Sequence, residues 1–234
     1  MVIDSRINNR YNVLRQLCVI CLYCAAAHTS ATSADFPEEQ IEILTSRCAF
    51  CHGENGVSQS PLWPSLAGLD AAYLLTQMQD FRSWPEGGRR SQHALQMAFV
   101  LNPLSDDQLS ALASYYSQLD DPWFARPVET DLEGLETVGE QLFLSGKRDL
   151  KEESVAVVPA CISCHGQKGM GNKEMAAPRI AGQYANYTAN QLRAYRDGMR
   201  LDSNGVMASA VAGLSDADIH ALALFVQSLG DGSE

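Results

Sequence analysis

Apolar positions recur every three to four residues in several stretches of this chain. Leu109, Leu112, Tyr116 and Leu119 fall on one helical face behind Ser105, and Ile219, Leu222, Val226 and Leu229 do the same behind Ser215. Serine is a good N-cap. Gln108 and Asp218 stand three residues further on, where a capping box needs them. The segment "LDAAYLLTQMQDFR" opens on a plausible cap, Asp70, and carries Tyr73, Leu74, Gln77 and Phe81 down one side. A further helix is expected around Leu135 to Leu144, and "EEQIEILTSR" runs straight into Cys48. No sustained period-two alternation argues for a sheet. The pattern predicts an all-α protein.

The helical pattern occurs twice, and so does the sequence. "PSLAGLDAAY" (Pro64 to Tyr73) resembles "PRIAGQYANY" (Pro178 to Tyr187), and "TQMQDFR" (Thr76 to Arg82) resembles "NQLRAYR" (Asn190 to Arg196). "LSDDQLSALASYYSQL" (Leu104 to Leu119) resembles "LSDADIHALALFVQSL" (Leu214 to Leu229). A repeat of this length is a duplicated domain rather than a short-period solenoid. The predicted division is a first domain over 35–120, a linker over 121–134 containing two prolines and no helical period, and a second domain over 135–234. The second half has an insert, "SGKRDLKEESVAVVPA", read as a polar loop.

Residues 1–34 do not read as folded structure. Arg6, Arg10 and Arg15 precede the short apolar run Leu17 to Ala27, and small residues follow to Ala34. This is the layout of a secretory signal, with cleavage expected near Ala31 or Ala34, and it places the mature protein in the periplasm. An uncleaved membrane anchor is the alternative, although the run is short for a span. Cys18, Cys21 and Cys24 and His28 leave with such a signal, and four cysteines remain.

The full chain of 234 residues carries 17 basic and 28 acidic residues. Without 1–34 the counts are 14 and 27, a more negative balance. Such a surface argues against nucleic acid, whose binding is driven by basic residues on phosphate. It favours partners with basic docking surfaces.

The four cysteines lie in "CAFCHG", Cys48 to Gly53, and "CISCHG", Cys161 to Gly166. Two thiols at this spacing can add to the vinyl groups of one haem, and the His that follows, His52 or His165, can ligate the iron. Export fits, since c-type haem is attached outside the cytoplasm. A single zinc site built from all four thiolates would leave both histidines unexplained. A thioredoxin-like dithiol needs a βαβ setting that is missing.

A sixth iron ligand must come from elsewhere, and methionine is a common choice opposite histidine. Met97 lies seven residues before Leu104, and Met207 seven before Leu214, so this pair alone keeps register with the repeat. Met78 reads as core, and Met170, Met175 and Met199 have no counterparts. His93 is the rival for the first iron, but its counterpart is Ser203. His220 reads as a solvated helix face.

With these features together, the chain resembles the dihaem cytochrome c4 family, two tandem class I cytochrome c domains, over about Phe36 to Gly230. The resemblance implies two covalent haem c groups, on Cys48 and Cys51 with His52 and Met97 axial, and on Cys161 and Cys164 with His165 and Met207 axial. It implies that Pro64 and Pro178 supply backbone carbonyls to the axial imidazoles. It implies a periplasmic electron carrier, not an enzyme, with no small-molecule substrate, moving single electrons between partners such as a bc1 complex and a terminal oxidase. Association with the membrane would then be peripheral, through partner complexes. The alternative is an electron-transfer subunit of a larger oxidoreductase, of the sulfide-oxidising flavocytochrome or alcohol dehydrogenase type. A dihaem peroxidase would need one open iron, which methionine at both positions opposes. A sensor would need an output domain that the sequence lacks.

Overall fold

The computed structural model describes residues 36–86, 88–90, 92–119, 133–148, 156–202 and 204–229. The expected signal segment, and all of the expected linker except its last two residues, lie outside the described residues. The first half contains α1 (Glu38–His52), α2 (Ala71–Arg82), α3 (Gln92–Leu101) and α4 (Asp106–Gln118). The second contains α5 (Glu133–Ser145), β1 (Lys147–Arg148), β2 (Ala156–Val158), α6 (Ile162–His165), α7 (Ala185–Arg196), α8 (Val206–Val211) and α9 (Asp216–Ser228). Helix α5 takes in the last two residues of the predicted linker, Glu133 and Gly134.

The caps form as the sequence predicts. Asp70 accepts from the backbone N–H groups of Ala72 and Tyr73. Ser105 with Gln108, and Ser215 with Asp218, make complete capping boxes at the starts of α4 and α9. These satisfy N–H groups that no helical carbonyl can reach.

Each half packs its own core. Helix α4 rests against α2 and α1, and α9 against α5 and α7. In the first half Leu44, Leu69, Leu74, Leu112, Ala113 and Tyr116 are buried together, with Met78 packed on them. In the second, Phe143, Ile219, Leu222 and Val226 are central. At Gly139 an added Cβ would lie 2.2 Å from the Ala221 carbonyl oxygen, so the backbones of α5 and α9 approach each other directly there.

The duplication holds down to single bonds. Arg82 at the end of α2 donates to the Leu104 carbonyl (3.2 Å) and pairs with Asp106, and Arg196 at the end of α7 donates to the Leu214 carbonyl (3.2 Å) and pairs with Asp216 (3.0 Å). Gly68 N–H bonds the Tyr116 carbonyl, and Gly182 N–H that of Val226, both at 2.9 Å.

The insert departs from the expected loop. Lys147–Arg148 and Ala156–Val158 pair as a short antiparallel ribbon. Val158 is buried in the second core, which is what anchors the ribbon; two- and three-residue strands are too short to announce themselves by alternation.

Candidate haem sites

Both "CHG" triplets stand at the end of a helix. Cys48, Cys51 and His52 lie on the last turns of α1, and His165 ends the one-turn α6. The glycine behind each histidine has left-handed φ, 83° at Gly53 and 76° at Gly166. At Gly53 a Cβ would meet the Val57 carbonyl oxygen at 2.1 Å, so only glycine allows the chain to turn back there.

The turn brings the proline segment over the histidine. His52 Nδ1 lies 2.8 Å from the Pro64 carbonyl oxygen, and His165 Nδ1 lies 2.9 Å from that of Pro178. A carbonyl only accepts, so Nδ1 carries the proton and Nε2 keeps its lone pair. Burial holds both imidazoles below their ordinary pKa, with the bond to the proline carbonyl acting in the opposite direction. His52 Nε2 is buried with no partner. A neutral ring, fixed through Nδ1 with Nε2 presented, is the form that ligates a metal. The residues therefore fit a haem iron.

The thiols fit the same reading. All four cysteines are unbridged. Burial raises the pKa of Cys48 and pushes that of Cys161 up to about 11, so both are neutral thiols, as covalent attachment to a haem begins from. Among the described residues, no three or more His, Cys, Asp or Glu side chains converge to hold a bare metal ion.

Met97 is half-buried on α3, and Met207, half-buried on α8, packs against the second core. Asp202 carboxylate oxygens accept the Met207 and Ala208 N–H groups at 3.0 and 3.5 Å, which sets the start of α8. Met170, Met175 and Met199 are exposed, as is His220. The side chains of His93 and Ser203 lie outside the described residues.

Sequence reasoning passed over a buried polar cluster shared by the two halves. Arg200 donates to Gln191 (2.9 Å), Gln77 (2.7 Å) and the Tyr73 hydroxyl (3.1 Å). Arg89 donates to Gln191 (2.7 Å), Gln77 and Tyr187. Each guanidinium stacks 4.4 Å from a ring of its own half, Arg89 over Phe81 and Arg200 over Tyr195. The two backbones pair as an isolated antiparallel bridge. Burial, and then the charge of Arg200, lower the pKa of Arg89, and the Nε atoms of both arginines are buried without partners. The available signal was that Gln77 and Gln191 keep register across the repeat.

Comparison with known proteins decides the family. The cytochrome c family profile matches twice, at residues 41–120 and 150–230. Cytochrome c4 of Stutzerimonas stutzeri is 38% identical over 190 residues, 78% of this chain and 84% of that protein. The chain belongs to the cytochrome c4 family. The crystal structure of reduced recombinant cytochrome c4 from Pseudomonas stutzeri superposes with a TM-score of 0.69 at 36% identity, covering 82% of this chain and 98% of that one. A protein named thiosulfate dehydrogenase electron acceptor, from Stutzerimonas stutzeri strain A1501, is 35% identical over 78% of this chain and 79% of its own length. This cytochrome c4 relative is thus a pair of tandem cytochrome c domains that carries two covalent haem c groups. It is an electron carrier rather than an enzyme, and it exchanges electrons with redox proteins.

Proposed function

We propose that Cys48 and Cys51 bind the first haem with His52 and Met97 as axial ligands, and that Cys161 and Cys164 bind the second with His165 and Met207. The carrying observation is the repeated pair of bonds, His52 to Pro64 and His165 to Pro178, which leave Nε2 as the ligating atom. When bound, each haem exchanges one electron at its iron. The imidazoles are held by their Nδ1 bonds to the proline carbonyls, and each histidine with its methionine would hold the iron, leaving no position for a substrate. The apolar cores around α4 and α9 exclude water and help set the potentials. Arg89 and Arg200, bonded to glutamine and tyrosine side chains, are chemically suited to haem carboxylates through their unpartnered Nε atoms.

The working location is the periplasm, after cleavage near Ala31 or Ala34, with domains over 35–120 and 135–234 joined through 121–134. The donor and acceptor we propose are a bc1-type complex and a terminal oxidase, docking through basic faces. A second reading, service to one larger oxidoreductase, is favoured by the relatives named as thiosulfate dehydrogenase electron acceptors. The thiosulfate dehydrogenase (TsdBA) from Marichromatium purpuratum also superposes with a TM-score of 0.69 at 28% identity, this chain covering 41% of that one. Stopped-flow oxidation by each acceptor class separates the two readings.

The ligand assignment is tested by the absorption spectrum of the oxidised, haem-loaded protein. The weak long-wavelength band from methionine sulfur to ferric iron has the intensity of two haems if Met97 and Met207 both bind. Half that intensity shows one iron ligated otherwise or open, and returns the peroxidase reading.

A further inference from the structure

The second domain reaches into the first at the peptide that holds His52. The Pro64 carbonyl and the Ser65 N–H are two ends of one peptide unit. The carbonyl accepts from His52 Nδ1 at 2.8 Å, and the N–H donates to Gln183 Oε1 at 3.2 Å. Gln183 Nε2 donates back to the Ser65 carbonyl at 3.3 Å, and Oε1 also accepts the Tyr184 N–H at 3.3 Å. Ser65 is fully buried and Gln183 is 6% exposed.

The neighbouring residue adds a second grip. Tyr184 donates its hydroxyl to the Ser58 carbonyl at 3.2 Å. Ser58 N–H bonds Ser65 Oγ at 3.1 Å, and Ser58 Oγ donates to the Cys51 carbonyl at 3.3 Å. Two adjacent residues of the second domain therefore hold the two segments that support His52 and Cys51. The arrangement is one-sided: in the repeat register Gln183 corresponds to Leu69, which has no amide to offer the second domain.

Hydrogen bonds in a chain polarise one another. An amide whose N–H donates carries more negative charge on its oxygen. A stronger acceptor at Pro64 draws on the Nδ1 proton and makes Nε2 a stronger donor, as partners of ligating histidines do. A stronger axial donor stabilises ferric over ferrous iron. We propose that Gln183 is an inter-domain positioning residue that lowers the reduction potential of the first haem through the Ser65–Pro64 peptide. The inference rests on His52 being the axial ligand proposed above.

The experiment is a redox titration of the haem-loaded full chain with two substitutions. Gln183→Leu removes both bonds to Ser65. Gln183→Glu loses the Nε2 donor but keeps, and charges, the Oε1 acceptor. The first midpoint is expected to rise in Gln183→Leu and to stay level or fall in Gln183→Glu, with the second midpoint unmoved in both. The midpoints are assigned by Met207→Ala, which displaces the second alone. A purely structural role for Gln183 would move both variants in the same direction, and that result, or no movement in Gln183→Leu, overturns the proposal. The ligand itself is read beforehand in the parent protein, from the hyperfine-shifted resonances of two axial imidazoles. Finding only one would overturn the His52 assignment and this inference with it.

Discussion

Met207, proposed above as a ligand, shows how little residue type says on its own. The chain has seven methionines, and thioethers ordinarily fill gaps in cores, as Met78 does here. Register with the repeat separates Met97 and Met207 from the rest, and the structure then puts both on short helices before the "LSD" turns, half-buried, while three others are exposed. Met207→Ala should lower the potential of the second haem and open that iron to carbon monoxide, at one carbon monoxide per two haems. Titration of the reduced variant with carbon monoxide checks this; a variant that binds none and keeps both potentials has its ligand elsewhere. At this scale the cysteines, histidines, prolines and methionines proposed for the sites stand out in the sequence because each pairs with a copy of itself 110 to 114 residues on. Asp202 and Gln183 were not. Their work is done on backbone groups of other segments, Met207 N–H in one case and Ser65 N–H in the other, and a backbone partner leaves no mark in the sequence.

Helix α9 carries both a core face and an electrostatic anchor. Its capping residue Asp218 accepts from the Ser215 N–H at 2.8 Å and from Lys147 Nζ at 2.7 Å, so it ties the helix start to the ribbon of the insert. Burial works to raise the Asp218 pKa, but the bonds from Lys147 and Ser215 win and hold it below the ordinary 3.8. A depressed carboxylate stabilises the fold above its unfolded pKa, and that contribution is lost as pH falls through the folded value. Asp218→Ala should therefore cost on the order of 1 kcal/mol at neutral pH, as loss of a capping box does, and the gap from the parent should close below the ordinary Asp pKa. Thermal unfolding of parent and variant across this range measures it, and a gap unchanged at low pH would deny Asp218 its charge-dependent role. Elements with a cap and a period of 3.6 were legible to within a few residues. The ribbon was not, because Val158 is fixed by burial against distant helices rather than by any local pattern.

For the whole molecule, charge and its placement give the last expectation. Residues 36–119 hold nine acidic and four basic side chains, whereas 135–229 hold ten and nine. Arg89 is buried in the shared cluster, so the first domain presents an even more acidic surface than its formal count. The sequence alone shows the imbalance but not the withdrawal of Arg89, since an arginine's burial depends on Gln77, Gln191 and Tyr187 meeting it from both domains. Glu38, Glu39 and Glu42 are exposed on α1, the helix that ends in the first haem-binding motif. A field of this kind raises association rates with cations and is screened over about 10 Å at 0.1 M salt. The reduced protein should thus be oxidised faster by a cationic cobalt complex at low salt than at high salt, and ferricyanide should show the opposite slope. Replacing Glu38, Glu39 and Glu42 by lysine should flatten both slopes in stopped-flow measurements without moving either midpoint by much, because these groups are solvated. If the slopes survive the triple replacement unchanged, electrons leave through the other domain, and the acidic face of α1 serves solubility rather than docking.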